Sequence, residues 1–168
     1  LRVEQAKLRG QNEQLIRDVA DLQRRQKDIA QGVDERLSKF EPVKVTQDGQ
    51  EFQADPAEKR DFEAALAVFR SGKFAEANTA VASVGRQYPR GGYGPSARVW
   101  LGNAQYAQRD YKEAIGNFKQ LLSDAPSHAR APEAALSIAN CQLELKDNRA
   151  ARKTLEDLVR VYPQSEAA

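Results

Sequence analysis

The sequence has little of what most catalytic centres are built from. It contains one cysteine, Cys141, one histidine, His128, and no methionine. One cysteine excludes an internal disulfide, and one histidine leaves almost nothing for a zinc site or a histidine-based triad. His128 falls in a predicted inter-helix loop, where we expect it at the surface. We therefore predict a non-enzymatic protein without catalytic, cofactor-binding or metal-binding residues.

The chain also lacks an excess of charge and long apolar segments. Its 26 basic and 24 acidic residues give a net charge of +2. The chain therefore lacks the excess of basic residues that nucleic-acid binding requires, and we predict no nucleic-acid partner. No stretch approaches the roughly 20 apolar residues of a membrane-spanning helix, which predicts no direct membrane insertion. The chain begins in mid-helix pattern and without Met, so we expect a mature chain whose targeting segment was removed.

What the sequence does contain is one helical hairpin in three copies. The copies close at Pro89, Pro126 and Pro163, which are spaced 37 residues apart. In the clearest copy, small residues stand where two antiparallel helices cross, and aromatic residues fill the space beside the crossing. The small residues are Gly102 and Ala114, and the aromatic residues are Tyr111 and Phe118.

These intervals are similar to those of the tetratricopeptide repeat (TPR) family. They predict an all-α fold with a three-repeat TPR α-solenoid over residues 57–168. The repeats span about residues 58–89, 95–126 and 132–163. The third copy has Asn148 where the others have an aromatic residue, which is expected of a last repeat that supports no further one.

The first 40 residues carry a different pattern, in which an apolar residue recurs at every seventh position. Five sustained heptads predict an N-terminal oligomeric coiled coil over residues 1–40. The stripe is narrow and partly polar, which favours self-association over a helix folded back on the repeats. The residues leave dimer and trimer open. The predicted oligomerisation seam consists of Leu8, Asn12, Leu15, Val19, Leu22, Gln26, Ile29 and Val33.

Residues 41–56 separate the two patterns and are predicted to be a linker. Pro42 is expected to end the long helix, and Asp48-Gly49 is a turn signal. Asp55-Pro56 is typical of the N-cap and the first residue of a helix. We therefore expect a flexible connection between two separate units.

Repeat solenoids bind ligands in the concave groove that the first helix of each repeat lines. Asn103 and Asn140 hold equivalent positions and resemble the asparagines that grip a peptide backbone in peptide-binding relatives, since an amide both donates and accepts. The lysines of a carboxylate clamp are missing. We expect an apolar and amide-lined groove for a helix or an extended segment, the alternative being that the asparagines are merely hydrated. The predicted groove residues are Phe62, Phe69, Val99, Asn103, Tyr106, Leu136, Asn140 and Leu143.

The coiled coil, the short linker and the repeats together resemble the family of the Tol-Pal-associated cell division coordinator CpoB, also called YbgF. The stretches that carry the resemblance are RRQKDIAQGVDERL, DPAEKRDFEAALAVFRSGKFAEA and YPRGGYGPSARVWLGNAQYAQRDYKEAI. The resemblance implies a periplasmic homotrimer that contacts the inner-membrane protein TolA and the peptidoglycan synthase machinery. The implied function is an adaptor between Tol-Pal envelope constriction and septal peptidoglycan synthesis during cell division. The alternative is a TPR scaffold for outer-membrane protein assembly or secretion.

Overall fold

The computed structural model describes residues 1–168 and divides into two compact units, Leu1–Glu41 and Pro42–Ala168. The first unit is a single long helix that ends in a short turn. The second unit is a β-hairpin followed by six helices. Seven α-helices make up most of the chain, so the prediction of an all-α fold with a long N-terminal helix and helical repeats is confirmed.

The first unit consists of helix α1, Arg2–Leu37, and a 3₁₀ turn, Ser38–Phe40. At about 1.5 Å per residue the helix is roughly 54 Å long. The helical pattern ends before Pro42, as predicted, because a proline disfavours helical backbone in the residue before it. No residue of α1 is buried, so this helix has no core of its own.

A β-hairpin begins the second unit, and the prediction of a flexible linker over residues 41–56 is wrong. Strand β1, Val43–Gln47, pairs antiparallel with strand β2, Gln50–Ala54. Asp48 and Gly49 form the two-residue turn, with φ of 48° and 76°, the positive values that a type I′ turn requires. Every second residue of each strand faces the repeats, and two of these residues, Val45 and Ala54, are buried against them. This alternation is what turns the segment into a packed hairpin.

Six helices follow as three antiparallel hairpins, and each helix packs against the next along the chain. Asp55 caps the first of them by accepting a hydrogen bond from the Ala57 N–H at 2.7 Å, and Pro56 is its first residue, as predicted. The order of helices is that of a TPR solenoid. The bounds are α2 Pro56–Arg70, α3 Phe74–Gln87, α4 Gly94–Ala107, α5 Tyr111–Asp124, α6 Ala131–Glu144 and α7 Asn148–Val161.

Two apolar clusters hold the second unit together. The first joins the hairpin to α2, α3 and the start of α4, with Val45, Phe62 and Tyr93 among its members. The second lies between α4, α5 and α6 around Phe118, which is fully buried. A side chain at Gly102 would place its Cβ 2.5 Å from the Phe118 ring, so the predicted need for a small residue at this crossing is confirmed.

Candidate partner-binding surfaces

The predicted seam of α1 is an uncovered apolar stripe in the single chain. Its six apolar members are between 46% and 67% exposed, which is far above what a packed helix leaves to solvent. Ile16 lies beside Leu15, is 69% exposed, and widens the stripe. A stripe of this kind is stable in water only when another helix covers it. The seam residues remain a prediction, because a single chain contains no partner helix.

A few polar side chains on the other faces of α1 pair with one another within the helix. Gln14 donates to Asp18 at 2.9 Å, and Gln31 donates to Glu35 at 3.1 Å. Such pairs four residues apart support an exposed helix face by a few tenths of a kcal/mol each, about 0.2–0.5 kcal/mol. Polar side chains on these faces are exposed to water, so the surface that favours binding to another helix is the apolar stripe.

The structure separates the predicted groove residues by their position in the repeat. Phe62, Val99 and Leu136 are equivalent residues that face the next repeat along the solenoid. The Phe62 ring stacks on Tyr93 at 4.3 Å and is 1% exposed. Val99 is 0% exposed and packs in the cluster of α4, α5 and α6. Repeat stacking therefore buries both side chains. The prediction that Val99 lines a groove is wrong, whereas Phe62 lies at the floor of a groove between β1 and α2.

Leu136, the third member of that series, is half-buried and lies beside the residues that follow α7. It has the same place in its repeat as Val99, which packs against α6, whereas α6 has no following repeat beside it in this chain. Leu136 therefore lacks the cover that α6 gives to Val99. Its assignment to a groove stays a prediction.

A second series, Phe69, Tyr106 and Leu143, becomes more exposed along the solenoid. Phe69 is half-buried and meets Trp100 edge to face at 4.9 Å. Tyr106 is 36% exposed and lies 5.4 Å from the Tyr111 ring. Leu143 is 48% exposed beside α7. Tyr106 and Leu143 are therefore accessible to a partner, whereas Phe69 mainly supports the joint between the first two repeats.

The third series contains the two asparagines. Leu66, Asn103 and Asn140 stand 37 residues apart on α2, α4 and α6. Leu66 is buried, Asn103 is half-buried and Asn140 is exposed. Both amides therefore keep some access to solvent. Their role in holding a peptide backbone stays a prediction.

The chain's own β-hairpin covers the first turns of α2 and α4. The Ser96 hydroxyl, at the start of α4, donates a hydrogen bond to the Asp48 carboxylate at the hairpin turn. Phe52 of β2 meets the Tyr93 ring edge to face at 5.0 Å. The hairpin is thus packed on the first repeat and on the start of α4.

His128 completes this contact, and the prediction that it lies at the surface is wrong. It is 3% exposed, and its Nε2 lies 3.8 Å from the Asp48 carboxylate. Burial lowers the pKa of His128, the Asp48 carboxylate opposes this shift, and Arg130 adds to it. The Nδ1 atom accepts the Arg130 backbone N–H at 3.2 Å, so the neutral ring carries its proton on Nε2, towards Asp48.

The glycine-rich loop between the first two repeats allows the hairpin to approach. A Cβ at Gly92 would collide with the Phe52 ring, and one at Gly91 would collide with the Glu58 carboxylate. Glu58 is buried; burial raises its pKa, and the Tyr93 backbone N–H opposes that shift. This loop is a repeat connection, as the sequence predicts, and the glycines serve close packing within the chain.

The feature that sequence reasoning missed is the hairpin, including the contacts of Asp48 with Ser96 and His128. A signal for the hairpin was present. Val43 and Val45 alternate with polar residues before Asp48-Gly49, and Phe52 and Ala54 alternate after it. Two alternating runs around such a dipeptide are the strongest short-range indication of a β-hairpin.

The structure gives little support to a metal site, a reactive thiol or a membrane-spanning helix. No group of three or more His, Cys, Asp or Glu side chains is placed to hold a metal ion. Cys141 is fully buried, and burial raises the pKa of its thiol to about 11, so the thiolate is scarce at neutral pH. None of the helices combines the length and the apolar character that a membrane span requires.

Three family models match the sequence. A model described as TolA binding protein trimerisation matches residues 1–47, which contain α1 and β1. Two tetratricopeptide repeat models match residues 62–129 and 105–168. A search among curated proteins found no matching relative.

Solved structures with the same repeat architecture are numerous. PcrH from Pseudomonas aeruginosa is 14% identical, with a TM-score of 0.56 over 66% of this chain and 80% of that one. The Yersinia enterocolitica type III secretion chaperone SycD, in complex with a peptide of the translocator YopD, is 16% identical, with a TM-score of 0.58 over 67% and 82%. The first TPR domain of human RPAP3 is 16% identical, with a TM-score of 0.54 over 66% and 82%. At such identities these likenesses establish the fold alone.

Proposed function

Because the chain belongs to the Tol-Pal-associated family that joins a TolA-binding trimerisation segment to tetratricopeptide repeats, we propose that it is a non-enzymatic adaptor of the periplasm. In this proposal α1 assembles a homotrimer and binds a TolA-like inner-membrane protein. The repeat unit then links the Tol-Pal constriction machinery to septal peptidoglycan synthesis during cell division.

The observation that carries the proposal is the uncovered seam of α1. This stripe is exposed along the whole helix, and it lies within the segment that matches the TolA-binding trimerisation family. An exposed apolar stripe with a seven-residue period is a surface for other helices. Self-association and TolA binding therefore both draw on one element, and we expect them to influence each other.

Self-association would also change what the repeat unit can do. Each copy of α1 brings one repeat unit with it, so a trimer presents three copies of every partner-binding surface. Linked surfaces bind a clustered target more tightly than their individual affinity because the later contacts are intramolecular. A weak surface on the repeats is then sufficient for an adaptor.

The repeat unit supports a protein-binding role through its fold. Repeats of this architecture occur in SycD, whose structure contains a peptide of the translocator YopD. The competing function, a scaffold for outer-membrane protein assembly or secretion, would use the same repeats but would not require TolA. The two proposals therefore differ in the partner of α1.

The test measures assembly and TolA binding on the same protein. We expect the full chain to sediment as a trimer across about a hundredfold range of concentration, and the periplasmic part of TolA to bind it in a fluorescence titration. The matched control is residues 42–168, which should be monomeric and should not bind TolA if α1 carries this site. A monomeric full chain, or no binding of TolA, contradicts the proposal.

A further inference from the structure

The outer edge of β1 is an unpaired strand edge. The type I′ turn closes with a hydrogen-bonded pair, Gln47 and Gln50, and hydrogen-bonded pairs alternate from there along the ladder. Lys44 and Thr46 fall on the intervening positions, so their backbone N–H and C=O groups point away from β2. None of the backbone hydrogen bonds outside the ladder involves these two residues. The edge therefore offers two donors and two acceptors.

A groove runs between this edge and α2. Its volume is about 520 Å³, within the range of sites that bind a ligand. Residues 44–47 of β1 form one side, and α2 forms the other. The floor is apolar and is supplied by buried side chains. These are Val45, Phe62, Leu66 and Tyr93.

Cations outnumber carboxylates along this groove. Lys44, Lys59 and Arg70 line it, together with one acid, Glu63. Lys44 pairs with Glu51 on the neighbouring strand at 2.7 Å, and Lys59 pairs with Glu63 at 3.9 Å, whereas Arg70 has no ion pair. Arg70 is the last residue of α2, and its side chain is exposed. The groove thus has a free guanidinium that fits a carboxylate.

We propose that the groove between β1 and α2 binds an extended acidic segment of a partner protein, which pairs with the β1 edge as a third strand. Lys44 and Thr46 bind the backbone of the segment, and Arg70 binds an acidic side chain. Because side chains alternate along a strand, every second residue of the segment faces the apolar floor. Strand addition of this kind takes its affinity from the backbone and its specificity from the alternate side chains.

The charge decides between a partner segment and a second copy of this chain. A second copy of β1 would bring another Lys44 to a groove already lined by cations. Lysine on an edge strand is a common protection against pairing between copies of one protein. The site lies on the repeat unit and involves no residue of the seam, so it can fail while the proposed assembly and TolA binding hold.

The test uses the full chain and a short fluorescein-labelled peptide in which Glu and Val alternate. Thr46→Pro removes one edge N–H, and its matched control is Gln53→Pro, which removes an N–H from the opposite edge of the hairpin and leaves the Lys44–Glu51 ion pair in place. Arg70→Glu reverses the free charge, and its control is Arg86→Glu on α3, outside the groove. Circular dichroism checks that each variant keeps its helical content.

We expect Thr46→Pro and Arg70→Glu each to lower the affinity for the peptide by about tenfold or more. Both control variants should bind the peptide as the original chain does. A peptide with Lys in place of Glu, and one N-methylated at every second amide, should not bind. Equal binding by all variants, or no binding of the Glu-Val peptide to the original chain, overturns the proposal. A smaller assembly caused by Thr46→Pro in sedimentation also overturns it, since the edge would then pair with a second copy.

Discussion

Helices α1 and α5 show two different ways of placing apolar side chains. Helix α1 has a seven-residue apolar period and no buried residue, although it is 36 residues long. Helix α5 has 14 residues and buries Ala114, Phe118 and Leu121 completely. The difference lies in the small residues. Gly102 and Ala114 let α4 and α5 approach within the repeat unit, whereas the unit Leu1–Glu41 contains no second α-helix.

The comparison separates what each region depends on. The repeat unit closes its core within one chain, so its stability should not change with protein concentration. The unit that contains α1 has no second α-helix to cover the predicted seam, so if copies of α1 cover one another, the folding of α1 should depend on protein concentration by mass action. The repeat unit should therefore stay folded even when the proposed assembly dissociates.

The largest expected effect is on assembly, from Leu15→Asn plus Leu22→Asn. Each leucine contributes about 1.5–3 kcal/mol per chain when it is buried in the seam, and the loss adds over all chains of the oligomer. We expect the double variant to be monomeric in sedimentation experiments and the helical content of α1 to fall. Trp100, the only tryptophan, lies in the repeat unit, so its fluorescence should not change.

The matched control for the seam is Arg17→Asn plus Arg24→Asn. These positions have the same seven-residue spacing, lie on the face of α1 opposite the predicted seam, and receive the same residue type. Any loss of helix propensity is therefore the same in both pairs. If the control pair dissociates the assembly as far as the leucine pair does, the seam has been placed on the wrong face.

The next effect is on the repeat unit, from Phe118→Ala. The Phe118 ring is fully buried against Gly102 and in the cluster with α6. Truncation of a buried phenylalanine costs about 3–5 kcal/mol of unfolding free energy. We expect a lower urea midpoint by Trp100 fluorescence, with no dependence on protein concentration. Leu143→Ala, at a 48% exposed position, is the control and should change the midpoint little; an equal loss would contradict this description of the core.

The fold could be predicted largely from periodicity, because the seven-residue period of α1 and the 37-residue repeat can both be read directly from the spacing of residues along the sequence. The 37-residue spacing of the prolines and the small residues at Gly102 and Ala114 predicted the helical hairpins that the structure contains. The surfaces could not be predicted as well. Whether Val99 faces the groove or the next repeat depends on how the repeats stack, which no single-repeat spacing encodes.

The hairpin shows a second limit. Val43, Val45, Phe52 and Ala54 alternate as a strand pair does, but the segment is short and lies between two strong helical patterns. Its stability comes from the packing of Phe52 on Tyr93 and from the contact of Asp48 with Ser96, which join residues 41 and 48 positions apart in the sequence. Long-range contacts of this kind decide whether a short alternating run is a strand or a loop.

The smallest expected effect concerns His128, whose burial distinguishes the repeat unit from the exposed α1. The pKa of His128 in the folded chain lies below its ordinary value of about 6.5, so below pH 6.5 the unfolded chain binds the proton first. Unfolding free energy should therefore fall as the pH falls from about 7.5 to about 5.5, by at most about 1.4 kcal/mol per pH unit below 6.5. The pKa of Glu58 is raised above its ordinary value of 4.5, so protonation of Glu58 stabilises the folded chain as the pH falls and does not cause this loss.

Urea titrations of Trp100 fluorescence at the two pH values measure the effect, and His128→Gln should reduce the difference between them. An unchanged difference in that variant would show that another group is responsible, and that the contact of His128 with the hairpin turn does not depend on its charge.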